Sequence, residues 1–270
     1  VTRFSMRVAE GQPFTNTGRQ FVAISADGTQ IVFSANAQLF LRSLSDLDAH
    51  AIAGSGGGPV NPTFSPDGRS IAFWSSSESV LKRIPASGGA ATPIAKIENP
   101  FGMSWDEDGI VIGAGPGGIY RVSGNGGTPQ QIVSVAADET AYGPQILPGG
   151  RAILFTLAKL AGNSRAEAWD DAQIVVQSLP SGTRMIITRG SDARYLPSGH
   201  LLYTRGGTVY AVAFDSQSSK ASEEAIVAID GVSRALAVRP ARRSSVCPAP
   251  ALWSTLQDRR PDPRPSDRLS

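Results

Sequence analysis

The chain has 270 residues and 28.2 kDa, with 41% hydrophobic, 18% charged and 7% aromatic residues and a formal charge of +2. Its 29 Gly and 19 Pro are more than an average globular chain carries, yet too few for a low-complexity disordered one. A chain of this length buries a sizeable core without disulfides or metals, and no run of about 18 apolar residues exists to make a transmembrane helix.

In chain order, residues 1–19 form an entry segment, in which Thr2–Val8 is apolar enough to be a closing strand. No basic-then-apolar leader opens the chain, so no secretion signal is expected. From residue 20 a unit recurs five times: an apolar strand, a tight turn, a second apolar strand, a third strand and a short fourth. The turns are Asp27-Gly28, Asp67-Gly68, Asp108-Gly109, Gly149-Gly150 and Ser198-Gly199. They stand at intervals of about 41 residues, the last about 49. Glycine supplies a positive φ there without steric cost, and Asp accepts local backbone hydrogen bonds.

The flanking residues repeat too. Four positions before each turn Gly stands Ile24, Phe64, Trp105, Ile146 or Tyr195. After the turn come Ile31 and Phe33, Ile71 and Phe73, Val111, Ile153 and Phe155, and Leu201 and Tyr203. A spacing of two puts such pairs on one face of a strand. Third strands follow at Leu41–Leu44, Leu81–Ile84, Ile119–Val122, Val176–Leu179 and Val209–Val212. Four strands in about 41 residues is the period of a β-propeller blade. No stretch sustains a helical period, and a β-sandwich does not repeat one turn at a fixed interval. The expected fold is all-β: a propeller of four-stranded blades over 20–231, with five recognisable blades of a truncated six- or seven-bladed ring.

The blocks Asn61-Pro-Thr-Phe-Ser-Pro-Asp-Gly-Arg-Ser-Ile-Ala-Phe73 and Ser25-Ala-Asp-Gly-Thr-Gln-Ile-Val-Phe33 resemble the repeat of TolB-type, WD-repeat-like propellers. A narrower likeness lies in Arg3–Gln12, Trp169–Leu179 and Asp192–Tyr203. These are similar to the extracytoplasmic propeller of bacterial membrane-bound serine/threonine protein kinases. That resemblance implies a sensor or interaction domain outside the cytoplasm, joined to the membrane through a helix that this sequence does not contain. The sequence has no Gly-rich loop with a strand lysine, no His-Arg-Asp loop and no Asp-Phe-Gly, so this chain does not transfer phosphate.

Catalytic and metal chemistry find few residues. His50 and His200 are far apart, and Cys247 is the one cysteine. No Cys-x-x-Cys or His-Glu-x-x-His spacing occurs. Asp106-Glu107-Asp108 fits blade-turn chemistry better than calcium, which wants six or more oxygens. Gly113–Gly118 lacks the Gly-Lys-Ser/Thr of a phosphate loop and reads as an inter-strand linker. No Gly-x-Ser-x-Gly elbow is present. The expectations are therefore no enzyme activity, no metal and no cofactor.

Blade four is longer than its siblings, with an insertion within Ala158–Asp171. Long propeller loops commonly carry binding. The candidate binding residues are Asn163, Arg165, Trp169, Asp170 and Asp171, with Trp169 either an exposed anchor or folded back onto the blade. Residues 232–270 break the pattern: they hold no Gly and no Lys, and are rich in Arg and Pro. They are expected to be irregular, as a disordered extension or the product of a shifted reading frame. Without them the body is net acidic and free of cysteine, which removes the case for nucleic acid and permits an extracytoplasmic setting. The expected function is non-catalytic protein or ligand binding as a kinase sensor domain, with dimerisation through an open blade edge. A periplasmic TolB-like scaffold and a propeller fragment of a prolyl-oligopeptidase-like hydrolase are the alternatives.

Overall fold

A computed structural model describes residues 20–159 and 169–232. The expectations for residues 1–19, for most of the tail and for Asn163 and Arg165 fall outside the described residues.

Twenty strands form five four-stranded antiparallel sheets, each meandering in sequence order. Blade one holds β1 (Val22–Ile24), β2 (Gln30–Ala35), β3 (Gln38–Ser43) and β4 (His50–Ala51). Blade two holds β5 (Pro59–Phe64), β6 (Ser70–Ser75), β7 (Val80–Pro85) and β8 (Thr92–Lys96). Blade three comprises β9 (Met103–Asp106), β10 (Gly109–Gly113), β11 (Ile119–Val122) and β12 (Gln130–Val133). Blade four comprises β13 (Glu139–Ile146), β14 (Ala152–Lys159), β15 (Gln173–Ser178) and β16 (Arg184–Arg189). Blade five ends the series with β17 (Ser191–Leu196), β18 (His200–Arg205), β19 (Thr208–Asp215) and β20 (Lys220–Ile229). First strands pack on the first strands of neighbouring blades, β1 on β5, β5 on β9, β9 on β13 and β13 on β17, so they line the axis. The fold is the expected propeller, and five blades are what the described residues form. They show no sixth or seventh blade.

The turns form as their composition dictates. In blade one the Ser25 hydroxyl donates to Asp27 Oδ1 at 2.6 Å, and Thr29 N donates to the same oxygen at 3.0 Å. Blade two repeats this with Ser65 and Arg69 N on Asp67 Oδ1, at 2.6 and 3.1 Å. Gly28 and Gly68 both take φ of 70°, where a Cβ would be strained.

The core lies between blades. Phe64, Ile71, Phe73 and Ile84 of blade two pack on Val32, Leu39, Leu41 and Ile52 of blade one. On the opposite face of β6, Ala72 joins Met103, Ile110 and Ile112 of blade three. The second strands of blades one to four are thus buried on both faces, which explains their nearly continuous apolar sequence, whereas β18 of blade five is buried only at Leu201 and Tyr203. The two flanking blades differ. Among the described residues, the face of blade one turned away from blade two is a cluster of its own residues, including Phe21, Phe33 and Phe40. Ile24, on that face, is 55% exposed, so the position four before the turn Gly is not uniformly core.

Candidate functional site

Strand order assigns every loop to one of two ends. The Asp-Gly-type turns join first to second strands at one end. Second-to-third connections and the passages between blades lie at the other end, and the blade-four insertion is among them.

At that second end the first strands carry a repeated irregularity. Seven residues before the turn Gly, blades two to five place Asn61, Gly102, Gly143 and Asp192, with φ of 52°, 86°, 54° and 53°. The register of β5, β13 and β17 slips at Asn61, Gly143 and Asp192, each a β-bulge that turns the strand at its start. Asn, Gly and Asp are the residues that tolerate this left-handed backbone.

These bulges touch one another around the axis. Asn61 N donates to Gln20 O at 2.7 Å, and Asn61 Nδ2 donates to Pro100 O at 2.9 Å. Gly143 N donates to Phe101 O at 2.8 Å. Arg194 Nη1 donates to Gly143 O at 2.8 Å, while Nη2 reaches Gln20 Oε1 at 3.4 Å. The last contact carries the ring of hydrogen bonds from blade five back to the start of blade one. Asp192 N donates to Thr156 Oγ1 at 3.1 Å. Burial raises the Asp192 carboxyl to about 7, against the opposing pull of Arg194.

The insertion is tied to this ring. Trp169 is 4% exposed and stands edge-on to Tyr142, with ring centroids 4.5 Å apart. Tyr142 in turn meets Phe101 edge-on at 5.0 Å. Ala158 and Ala172 complete the cluster. Tyr142 and Phe101 immediately precede the left-handed glycines Gly143 and Gly102. Of the two readings open for Trp169, the exposed anchor is corrected: the indole is folded back, because two first-strand aromatics offer it an apolar slot. Asp170 Oδ1 accepts from Gly206 N of blade five at 2.8 Å, and Asp171 lies 3.5 Å from Arg189.

The remaining candidates sit in turn chemistry. Asp106 Oδ1 accepts from Asp108 N at 2.9 Å, and both carboxylates lie 3.7 Å from Arg121. Among the described residues no three His, Cys, Asp or Glu side chains group as a metal site. No helix there is long and apolar enough to cross a membrane. Gly113–Gly118 joins β10 to β11, as its composition indicated. Sequence reasoning missed the axial ring. Its signal was present in the fixed offset of Asn61, Gly102, Gly143 and Asp192 from the turn glycines.

No protein-family model matches the chain, and no curated protein matches it in sequence. Its fold is that of TolB-type β-propellers. TolB from Acinetobacter baumannii superposes with a TM-score of 0.57 at 16% identity, over 77% of this chain and 55% of that one. A protein described as TolB from Agrobacterium tumefaciens gives 0.57 at 17% identity, over 78% and 82%. An oligogalacturonate lyase in complex with manganese gives 0.51 at 11% identity, over 74% and 63%. The chain therefore spans about half the length of the Acinetobacter protein, and at these identities the likeness concerns the fold.

Proposed function

We propose that the chain is a non-catalytic recognition propeller whose binding end is the one carrying the axial ring and the blade-four insertion. The observation that carries this reading is the Phe101–Tyr142–Trp169 stack, which seats Trp169, at the end of the blade-four insertion, against the first strands. With Trp169 seated, Asp170 and Asp171 stand beside it in fixed positions, which lowers the ordering cost of binding through them. Asn163 and Arg165 belong to the same proposed surface.

The finer reading is the sensor or interaction domain of a bacterial serine/threonine protein kinase, outside the cytoplasm. The sequence likeness of Trp169–Leu179 and Asp192–Tyr203 and the absence of cysteine from 1–231 support it. The second reading, a periplasmic TolB-like scaffold, is favoured by the fold similarity. Sequencing the reading frame around the chain separates them. A kinase domain followed by a membrane helix upstream supports the sensor, and an export signal alone supports the scaffold. A contiguous α/β-hydrolase domain overturns the non-catalytic reading.

A further inference from the structure

The outer strands of blades one to three make poor edges for pairing. β4 is two residues long, β8 carries Pro93, which has no N–H to offer, and β12 opens on the exposed Gln130 and Gln131. Their larger apolar side chains turn inward, with Ile94 and Val133 buried. Blades four and five lack these devices. β16 and β20 contain neither Pro nor Gly, and each ends its sheet. Five of the eight exposed large apolar side chains among the described residues stand on these two strands: Met185, Ile186, Ile226, Val227 and Ile229.

The two edges are complementary. β16 runs regularly over Arg184–Ile186 and then shifts register at Ile187, while β20 is regular over Ala225–Val227, between shifts at Ser222–Glu224 and at Ala228. The two regular stretches are equally long, and both carry exposed apolar residues. Beyond its stretch β20 holds Glu223 and Glu224, which form no ion pair among the described residues. Beyond its own, β16 holds Arg189, exposed and only 3.5 Å from the equally exposed Asp171. Arg184, at the other end, is already committed to Gln177, Glu139 and Ser134 O. Antiparallel pairing of the stretches sets Met185 opposite Ile226 and runs Arg189 alongside Glu223 and Glu224. A second β20 is the poorer match: paired antiparallel about Ile226, it sets the two glutamates against Ala228 and Ile229.

We propose that β16 of one copy of this chain adds to β20 of a second copy as an antiparallel fifth strand, joining blade four of the first to blade five of the second. The contact goes beyond the recognition reading and does not depend on it. It joins two different edges, so every copy in a pair keeps one β16 or one β20 unused. Association therefore continues past the dimer into chains.

The test uses the full chain. Sedimentation velocity of the parent should show species that grow beyond two copies as concentration rises. Arg189→Glu and Glu224→Arg, both at exposed positions, should each weaken association by about tenfold with unchanged far-ultraviolet dichroism, and the chain carrying both changes should regain it. In a Cys247→Ser background, Met185→Cys and Ile226→Cys chains are prepared separately and treated with a short bismaleimide, alone and mixed. Linked pairs are expected only in the mixture. Linking of Ile226→Cys chains to one another, or association that stops at two copies, assigns the contact to β20 against β20 and overturns the proposal. It is equally overturned if the parent does not associate, if the mixture gives no linked pair, or if the doubly changed chain associates no better than the single variants.

Discussion

Trp169 and Tyr142 meet edge to face at 4.5 Å between centroids and 80° between ring planes, joining the blade-four insertion to the first strand of its own blade. Edge-to-face pairs add about 0.5–1.5 kcal/mol beyond their burial. Truncating a fully packed Trp costs about 3–5 kcal/mol. Trp169→Ala is therefore expected to lower the urea midpoint sharply, while Asp171→Ala, at an exposed charge, leaves it within error. A Trp169→Ala chain of parental stability would show that the indole does not anchor the loop.

The same end of the propeller depends on two glycines for close approach. A Cβ on Gly102 would lie 2.8 Å from Gly143 Cα, and its φ of 86° is in the left-handed region. Gly68 has a φ of 70° but open space around it. Gly102→Ala should cost more than about 3 kcal/mol or prevent folding, since a backbone atom cannot step aside. Gly68→Ala should cost only the conformational strain, about 1–2 kcal/mol. Parallel chemical denaturation of the two variants measures the difference; equal losses would mean that the axial contact can relax.

The contrast between these glycines explains what the sequence made legible. Gly68 lies in a turn whose chemistry is local: Ser65, Asp67 and Arg69 sit within a few residues and repeat from blade to blade. Blade count, turn positions and the inward Ile71 and Phe73 could therefore be read without coordinates. The axial ring is non-local. Gln20 meets Arg194 across most of the chain, and Asn61 meets Pro100 across a whole blade. Such pairs leave no periodic pattern of side-chain type, only the shared tolerance of Asn, Gly and Asp for left-handed backbone. Trp169 stayed open between an exposed anchor and a folded-back indole for a related reason. Its slot is made by Tyr142 and Phe101, which only folding brings beside it.

The outer strand of blade five has a consequence for assembly. Ile226, Val227 and Ile229 on β20 are 64%, 60% and 55% exposed, along a strand with a free hydrogen-bonding edge among the described residues. Exposed apolar edges invite pairing with another strand. Sedimentation velocity should show association that rises with concentration. The double change Ile226→Lys and Ile229→Lys should abolish it without altering the far-ultraviolet dichroism. Association unchanged by the two lysines would rule out β20 as the contact.

Two groups of carboxylates pull stability in opposite directions with pH. Asp27 and Asp67 are held below the usual carboxylate value, first by the Ser25 and Ser65 hydroxyls and then by the backbone N–H groups of Thr29 and Arg69. Their folded forms favour ionisation, so their contribution is present above the ordinary carboxylate value and is lost as pH falls through the lowered one. Asp192 is raised to about 7 by burial, so the folded chain binds a proton there that the unfolded chain releases near 4. Between those values the native state holds more protons than the unfolded one, and stability falls as pH rises. Asp106, also raised by burial, adds to the same slope. The parent chain is thus expected to be less stable at pH 7.5 than at pH 5. Asp192→Asn should flatten that slope, its gain over the parent growing from pH 4 to pH 7 by a few kcal/mol at most. Urea midpoints at closely spaced pH values measure this, and parallel curves for the two chains would show that the Asp192 carboxyl does not titrate in that window.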